Sequence, residues 1–244
     1  MSGSISLYLA SIQQSDHLLF DSNLLTPHDE KRCKKFRQLA DRKRCAIGAI
    51  LTRHILGGRL NIPPDSVPIE HTAFGKPVLA EIASDLQFNL SHSGDWIYLA
   101  VCAQQEVGID IELCKPIDNI ESLIRFTYHT SEQEKMLNQP TDLWLSWFYS
   151  CWTRKEAVLK AVGKGLQIAP EQFEINPNPT HTQQQTTLQA VDVLGAQYRV
   201  IDIEAASGYK AALSFSNPVE KVHQPIYIRA DQLETFLRRG VNPD

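Results

Sequence analysis

The sequence predicts an α+β protein of two packed subdomains, residues 1–104 and 105–244, each a helix packed on a mostly antiparallel sheet. Two observations carry this. Helical periodicity recurs, over residues 41–60 and 141–162, and each pattern is followed by several short apolar runs with turn residues between them. Gln104-Gln105-Glu106 is a tight connection between two strong strand patterns, residues 96–103 and 107–113. These two strands are either paired neighbours or the join between the halves.

Taken in order, residues 5–9 read as a first strand, and the mixed segment 18–25 ends near Thr26-Pro27. Residues 29–44 carry Lys31, Arg32, Lys34, Lys35, Arg37, Arg42, Lys43 and Arg44, the one strongly basic segment of the chain. It reads as a solvated helical face or as an anion pocket docked through Phe36 and Leu39. In the helix of residues 41–60, Ala46, Ile47, Ala49, Ile50, His54, Ile55 and Leu56 form an apolar face, and Gly57-Gly58 supplies a stop. Phe74-Gly75-Lys76-Pro77 is a turn into a short strand. Phe88-Asn89-Leu90-Ser91-His92-Ser93-Gly94 is a strand running into a glycine-ended corner. Residues 119–126 form a short amphipathic segment, and Thr130-Ser131-Glu132 has the chemistry of a helix start. The pattern over 141–162 is rich in aromatics and ends at Gly163-Lys164-Gly165. Residues 170–185 read as irregular, and their Thr/Gln-rich tract as an exposed loop. Residues 188–193, 197–203, 209–215 and 226–229 read as strands with hairpin-type turns, and 231–239 as a terminal helix.

A net charge of −4 argues against a surface built for nucleic acid or an anionic membrane. No apolar run is long enough to span a membrane and no signal-peptide pattern is seen, so a cytoplasmic protein is expected. The five cysteines, Cys33, Cys45, Cys102, Cys114 and Cys151, contain no C-x-x-C pair. Buried free thiols are expected rather than a disulfide framework or a zinc site.

Chemistry concentrates in Gly108-Ile109-Asp110-Ile111-Glu112. On a strand Asp110 and Glu112 share one face, roughly 7 Å apart, and two such carboxylates repel unless a cation neutralises them. Mg²⁺, which takes oxygen ligands, is the expected cation. In Trp152-Thr153-Arg154-Lys155-Glu156-Ala157-Val158-Leu159-Lys160, helical spacing puts Trp152, Glu156 and Lys160 on one face. Glu156 would then be a third oxygen ligand and Lys160 a phosphate donor, although an i,i+4 Glu–Lys pair is also an ordinary surface feature. Ser91 and His92 at the glycine-ended corner suit phosphate binding, and Lys76 is a further candidate donor.

Gly75-Lys76-Pro77, the strand of residues 88–94, Gly108-Ile109-Asp110-Ile111-Glu112 and Trp152-Thr153-Arg154-Lys155-Glu156-Ala157-x-x-Lys160, in this order, closely resemble the 4′-phosphopantetheinyl transferases. Length and the second-half helix resemble the larger surfactin-synthetase-activator type, a single-chain pseudodimer. The resemblance implies transfer of the phosphopantetheine arm of coenzyme A to a serine of an apo acyl or peptidyl carrier protein, releasing adenosine 3′,5′-bisphosphate. It implies that Asp110, Glu112 and Glu156 hold Mg²⁺ and, with Lys160, form the catalytic set. It implies that Arg44, Lys76, Ser91, His92, Lys155 and Lys160 contact coenzyme A, with Arg44 and His92 near its 3′-phosphate. The basic cluster departs from the family at Asp29, where a lysine is expected. The segment 114–136, with Ile117, Ile120, Leu123, Ile124, Phe126 and Tyr128, is the expected carrier-docking surface of a monomeric enzyme, with an ordinary core helix as the alternative. The alternatives are another Mg²⁺-dependent phosphoryl or nucleotidyl transferase, which would lack the Walker-type G-x-x-x-x-G-K-[ST] run, and a non-catalytic binding module, which leaves the three acids unexplained.

Overall fold

The computed structural model describes residues 3–13, 24–80, 84–178 and 189–228. Segment 18–23, the tract 179–185 and the expected helix over 231–239 lie outside the described residues.

The fold is α+β. The first sheet holds β1 (Ser4–Ser11), β4 (Leu86–Ser93) and β5 (Trp96–Ala103), with β5 antiparallel between the other two. The second holds β6 (Val107–Leu113), β7 (Gln189–Val193), β8 (Ala196–Asp202) and β9 (Tyr209–Phe215) in the antiparallel order β6-β9-β8-β7. β5 and β6 thus belong to different sheets, and Gln104-Gln105-Glu106 is a join rather than a hairpin. A small ribbon of β2 (Ile69–His71) and β3 (Pro77–Leu79) sits beside the first sheet.

Side-chain alternation explains the layering. Tyr8, Ala10, Phe88, Leu99 and Val101 face α2 (Leu39–Leu60), meeting Ile47, Ile50, Leu51 and Ile55. The opposite faces of β1 and β5, with Leu7, Leu9, Tyr98 and Ala100, meet Ile109, Ile111, Leu213 and Phe215 of the second sheet. The outer face of that sheet packs on α5 (Trp144–Val162), which in turn contacts α3 (Ile120–Thr127) and α4 (Thr130–Leu137). The layers therefore run α2, first sheet, second sheet, α5.

Several expectations change. β10 (Lys221–Val222) and β11 (Ile226–Ile228) return to the first sheet and pair in parallel with β1, rather than closing a hairpin on β9. β1 has one edge on β5, so its other edge would leave buried backbone groups unpaired without them. α2 runs through Gly57-Gly58 and is capped by Asn61 in the left-handed region at φ 55°. The cysteine reading is corrected in part. Cys33, at the end of α1 (Pro27–Cys33), is joined to Cys45 of α2 in a disulfide with Cα atoms 5.4 Å apart, while Cys102, Cys114 and Cys151 are free thiols. Two helix ends meeting at a corner bring these thiols together, which linear spacing does not announce. Phe36 and Leu39 are exposed, 41% and 56%, and do not dock the basic segment. Its anchors are the disulfide and buried Asp29, which accepts from Arg53 Nε at 2.5 Å. Phe173 and Ile175, in the segment expected to be irregular, are buried against α5. No helix among the described residues is long and apolar enough to cross a membrane.

Candidate active site

Gly108 sets how closely the site is assembled. A Cβ at this position would lie 2.0 Å from the Ala157 carbonyl oxygen and 2.4 Å from the Ala161 nitrogen, so only glycine lets the backbone of α5 press onto β6. α5 runs antiparallel to β6. A helix advances about 6 Å between i and i+4, and a strand about 6.8 Å between i and i+2, so stripes on the two elements stay in step. Trp152 lies beside Glu112, and Lys160, two turns later and level with Gly108, reaches back to Asp110, with Nζ donating to Oδ1 at 2.6 Å. Glu156 lies between them.

The three acids form one electrostatic unit. Burial raises the pKa of Glu156, the charge of Asp110 and then that of Glu112 raise it further, and Lys160 opposes them. Burial also raises Glu112, with Asp110 adding to the shift, against a hydrogen bond from Ser93, the charge of Lys160 and the Trp152 bond. Asp110 is 3% exposed, and its Oδ2 has no hydrogen-bond partner. Three carboxylates against one ammonium leave an excess of negative charge. An oxygen-only donor set with an orphaned buried carboxylate oxygen fits a hard divalent cation. The cage is not ready-made: among the described residues no three His, Cys, Asp or Glu side chains stand close enough together to hold a metal ion, and Lys160 covers Asp110 Oδ1.

β4 supplies the second wall. Its Asn89, Ser91 and Ser93 face the edge of β6 that is turned away from β9. Asn89 Oδ1 accepts from the Ile109 N–H at 2.9 Å, Ser91 Oγ from Ile111 at 3.4 Å and Ser93 Oγ from Leu113 at 3.0 Å. Ser91 Oγ also donates to Asp110 Oδ1 at 2.8 Å and accepts from Lys160 at 2.8 Å. Ser93 Oγ donates to Glu112 Oε2 at 2.7 Å.

His92 points to the other side of β4, toward α2. Packing around the ring lowers its pKa first, and the positive charges of Arg44 and Lys160 lower it further. Arg44 donates to the Gly94 carbonyl at 2.7 Å and pairs with Asp41, fixing the glycine corner next to His92. Lys76 donates to the carbonyl oxygens of Ala161, at 2.9 Å, and Val107, at 3.4 Å. It thereby sits on the negative end of α5 one residue beyond Lys160. Burial lowers its pKa, against Glu106 and Cys102.

Lys155 is a correction. It is fully buried, and its ammonium donates to Glu132 Oε1 at 2.8 Å, the Pro170 carbonyl at 2.8 Å and the Phe173 carbonyl at 2.6 Å. These bonds use all three N–H donors, leaving none for coenzyme A. The reason is rotational: one step along a helix turns a side chain by about 100°, so the neighbour of Glu156 faces the core. Arg154, 5% exposed, is likewise an anchor, bonded to Asp202 and to the carbonyls of Asn176 and Asn178. The sequence reading assigned no role to Ser93 and no bond to Trp152. The available signal was spacing, since Ser93 stands to Ser91 as Glu112 stands to Asp110.

In the segment 114–136, Ile124 and Tyr128 are core residues, while Ile117, Ile120 and Leu123 are half-buried. Phe126 is 84% exposed.

Comparison with known proteins agrees with this geometry. Residues 106–214 match the 4′-phosphopantetheinyl transferase superfamily, and residues 13–104 match the N-terminal part of a 4′-phosphopantetheinyl transferase. The chain is 40% identical over 146 residues, 59% of its length, to 4′-phosphopantetheinyl transferase psf-1 of Bacillus pumilus, and spans 61% of that protein. It is 29% identical over 198 residues to 4′-phosphopantetheinyl transferase Sfp of Bacillus subtilis, covering 80% of this chain and 84% of Sfp. It is 32% identical over 197 residues to 4′-phosphopantetheinyl transferase HetI of a Nostoc species, covering 80% of this chain and 83% of HetI. A chain with these matches, and with the acids of β6 closed over by α5, belongs to the 4′-phosphopantetheinyl transferase superfamily, of the Sfp type, and is a transferase.

Proposed function

We propose that the protein transfers the 4′-phosphopantetheine arm of coenzyme A to a serine hydroxyl of an apo acyl or peptidyl carrier protein, with Mg²⁺ bound. The carrying observation is the buried Asp110 carboxylate, with Oδ2 unpartnered and Oδ1 held by Lys160, two residues along the strand from Glu112. The serine oxygen bonds to the β-phosphorus, the pyrophosphate P–O bond breaks, and adenosine 3′,5′-bisphosphate leaves with the electron pair.

Asp110, Glu112 and Glu156 would hold the cation, which neutralises charge on the diphosphate. Lys160 adds a fixed positive charge next to that position, and loses its hold on Asp110 when phosphate oxygens compete for it. Ser91 on the β6 face of β4, His92 and Arg44 on its other face, and Lys76 at the end of α5 are assigned to the remaining coenzyme A phosphates. Glu156, beside the cation position, is the candidate base for the serine proton. Exposed Phe126, with half-buried Ile117, Ile120 and Leu123, is assigned to carrier docking, which places the serine in line. The chain is read as a monomer divided at residues 104/105.

The test is mass spectrometry of apo carrier proteins incubated with the protein, Mg²⁺ and either coenzyme A or ATP. The reading requires a pantetheine adduct with coenzyme A. Turnover of ATP without such an adduct would replace it with another phosphoryl or nucleotidyl transfer.

A further inference from the structure

We propose that Ser93 is a positioning residue for this reaction, aiming Glu112 from the neighbouring strand. The inference rests on the metal assignment above. β6 pairs with β9 along one edge, and its other edge carries the N–H groups of Ile109, Ile111 and Leu113. Among the described residues no backbone strand covers that edge. Side chains of β4 take its place, at residues 89, 91 and 93, with the same two-residue step.

A serine hydroxyl has one proton and two acceptor positions. Ser93 Oγ accepts from the Leu113 N–H at 3.0 Å, which orients the hydroxyl and directs its single proton at Glu112 Oε2, 2.7 Å away. The bond is charge-assisted and therefore among the stronger kinds. Glutamate has three side-chain torsions to immobilise, and Ser93 fixes the far end of them. Ser91 is built the same way toward Asp110, but it is shared with Lys160. Ser93 serves Glu112 without bonding Lys160, so its effect can be isolated.

A purely structural serine, serving only as the Leu113 cap, makes a different forecast. The discriminating readout is Mn²⁺ affinity, measured by electron paramagnetic resonance on the full chain with saturating coenzyme A and no carrier protein, so that phosphate oxygens draw Lys160 off Asp110. Ser93→Ala is expected to weaken Mn²⁺ binding about 10-fold or more, the usual size of such second-layer effects. Coenzyme A affinity in EDTA should stay within about twofold, because the assigned coenzyme A contacts do not include Ser93. Ser93→Thr, which keeps the hydroxyl, should restore Mn²⁺ binding. In a Glu112→Ala background, Ser93→Ala should have no further effect on Mn²⁺ affinity. Should Ser93→Ala fold poorly, Ser93→Cys fills the same space with a weak donor and is expected to show the same metal defect. Unchanged Mn²⁺ affinity in Ser93→Ala, or an equal loss with Glu112 already removed, overturns the proposal. Failure of the unsubstituted protein to bind Mn²⁺ would overturn the metal assignment and this inference with it, whereas normal binding in that protein isolates the fate of Ser93.

Discussion

Replacing Gly108 with alanine should damage stability and activity together. The added methyl would sit 2.0 Å from the Ala157 carbonyl oxygen, 2.4 Å from the Ala161 nitrogen and 3.0 Å from the Ala161 Cα. All three are helix backbone, so no side chain can swing aside, and α5 must shift away from β6. Overpacking costs about 1–3 kcal/mol, and a rigid obstacle argues for the upper end. At about 2–4 °C per kcal/mol for a chain of this size, the melting temperature should fall by roughly 6–12 °C. The shift also draws Glu156 and Lys160 from Asp110, and a displacement near 1 Å at a reacting centre costs about 100-fold in rate. Thermal unfolding and single-turnover transfer to a carrier protein measure the two effects. Gly195→Ala is the control: its φ of 80° makes alanine strained, but no atom lies within 4 Å of the new Cβ, so only stability should respond. A Gly108→Ala protein that melts within a degree or two of the parent and transfers at the parent rate would refute the close-approach reasoning.

Other outcomes follow from the same structure. Asp110→Ala should abolish transfer while coenzyme A binding, followed by calorimetry, is largely kept; an active variant contradicts the metal assignment. Lys155→Met leaves the Glu132 carboxylate buried and short of its ion partner, which should cost about 3–5 kcal/mol in urea unfolding, partly recovered by adding Glu132→Gln. A rise in KM for coenzyme A with unfolding unchanged would instead restore Lys155 to the substrate site. Burial alone would raise the pKa of Asp29, but bonds from Thr26 and Arg53 outweigh it and hold the folded-state value below 3.8. Its contribution to stability is therefore complete above pH 3.8 and lost as pH falls through the folded-state value, so urea midpoints below pH 3.8 should drop more steeply in the parent than in Asp29→Asn.

What the sequence made legible was short-range and periodic. Period-two alternation placed Asp110 and Glu112 on one face with Ile109 and Ile111 on the other, and the four-residue step placed Trp152, Glu156 and Lys160 on one stripe; both patterns are present in the fold. What it hid were features made by contact between distant segments. The serine and asparagine side chains of β4 that bond the edge of β6 are 20 residues from their partners. The pairing of β11 with β1 joins segments more than two hundred residues apart, and no local signal distinguishes it from a hairpin. Lys155 misled for a different reason. Proximity in a motif was read as proximity in space, although adjacent helical residues diverge, and its partner Glu132 lies on another helix.

In the proposed reaction Asp110, Glu112 and Glu156 would hold a divalent cation that neutralises the diphosphate of coenzyme A during attack by the carrier serine. Intact-mass analysis of an apo carrier protein, after incubation with coenzyme A and the enzyme in Mg²⁺ or in EDTA, tests it most directly. A single phosphopantetheine addition is expected with Mg²⁺, and none in EDTA or with Asp110→Ala. The same addition in EDTA would contradict it.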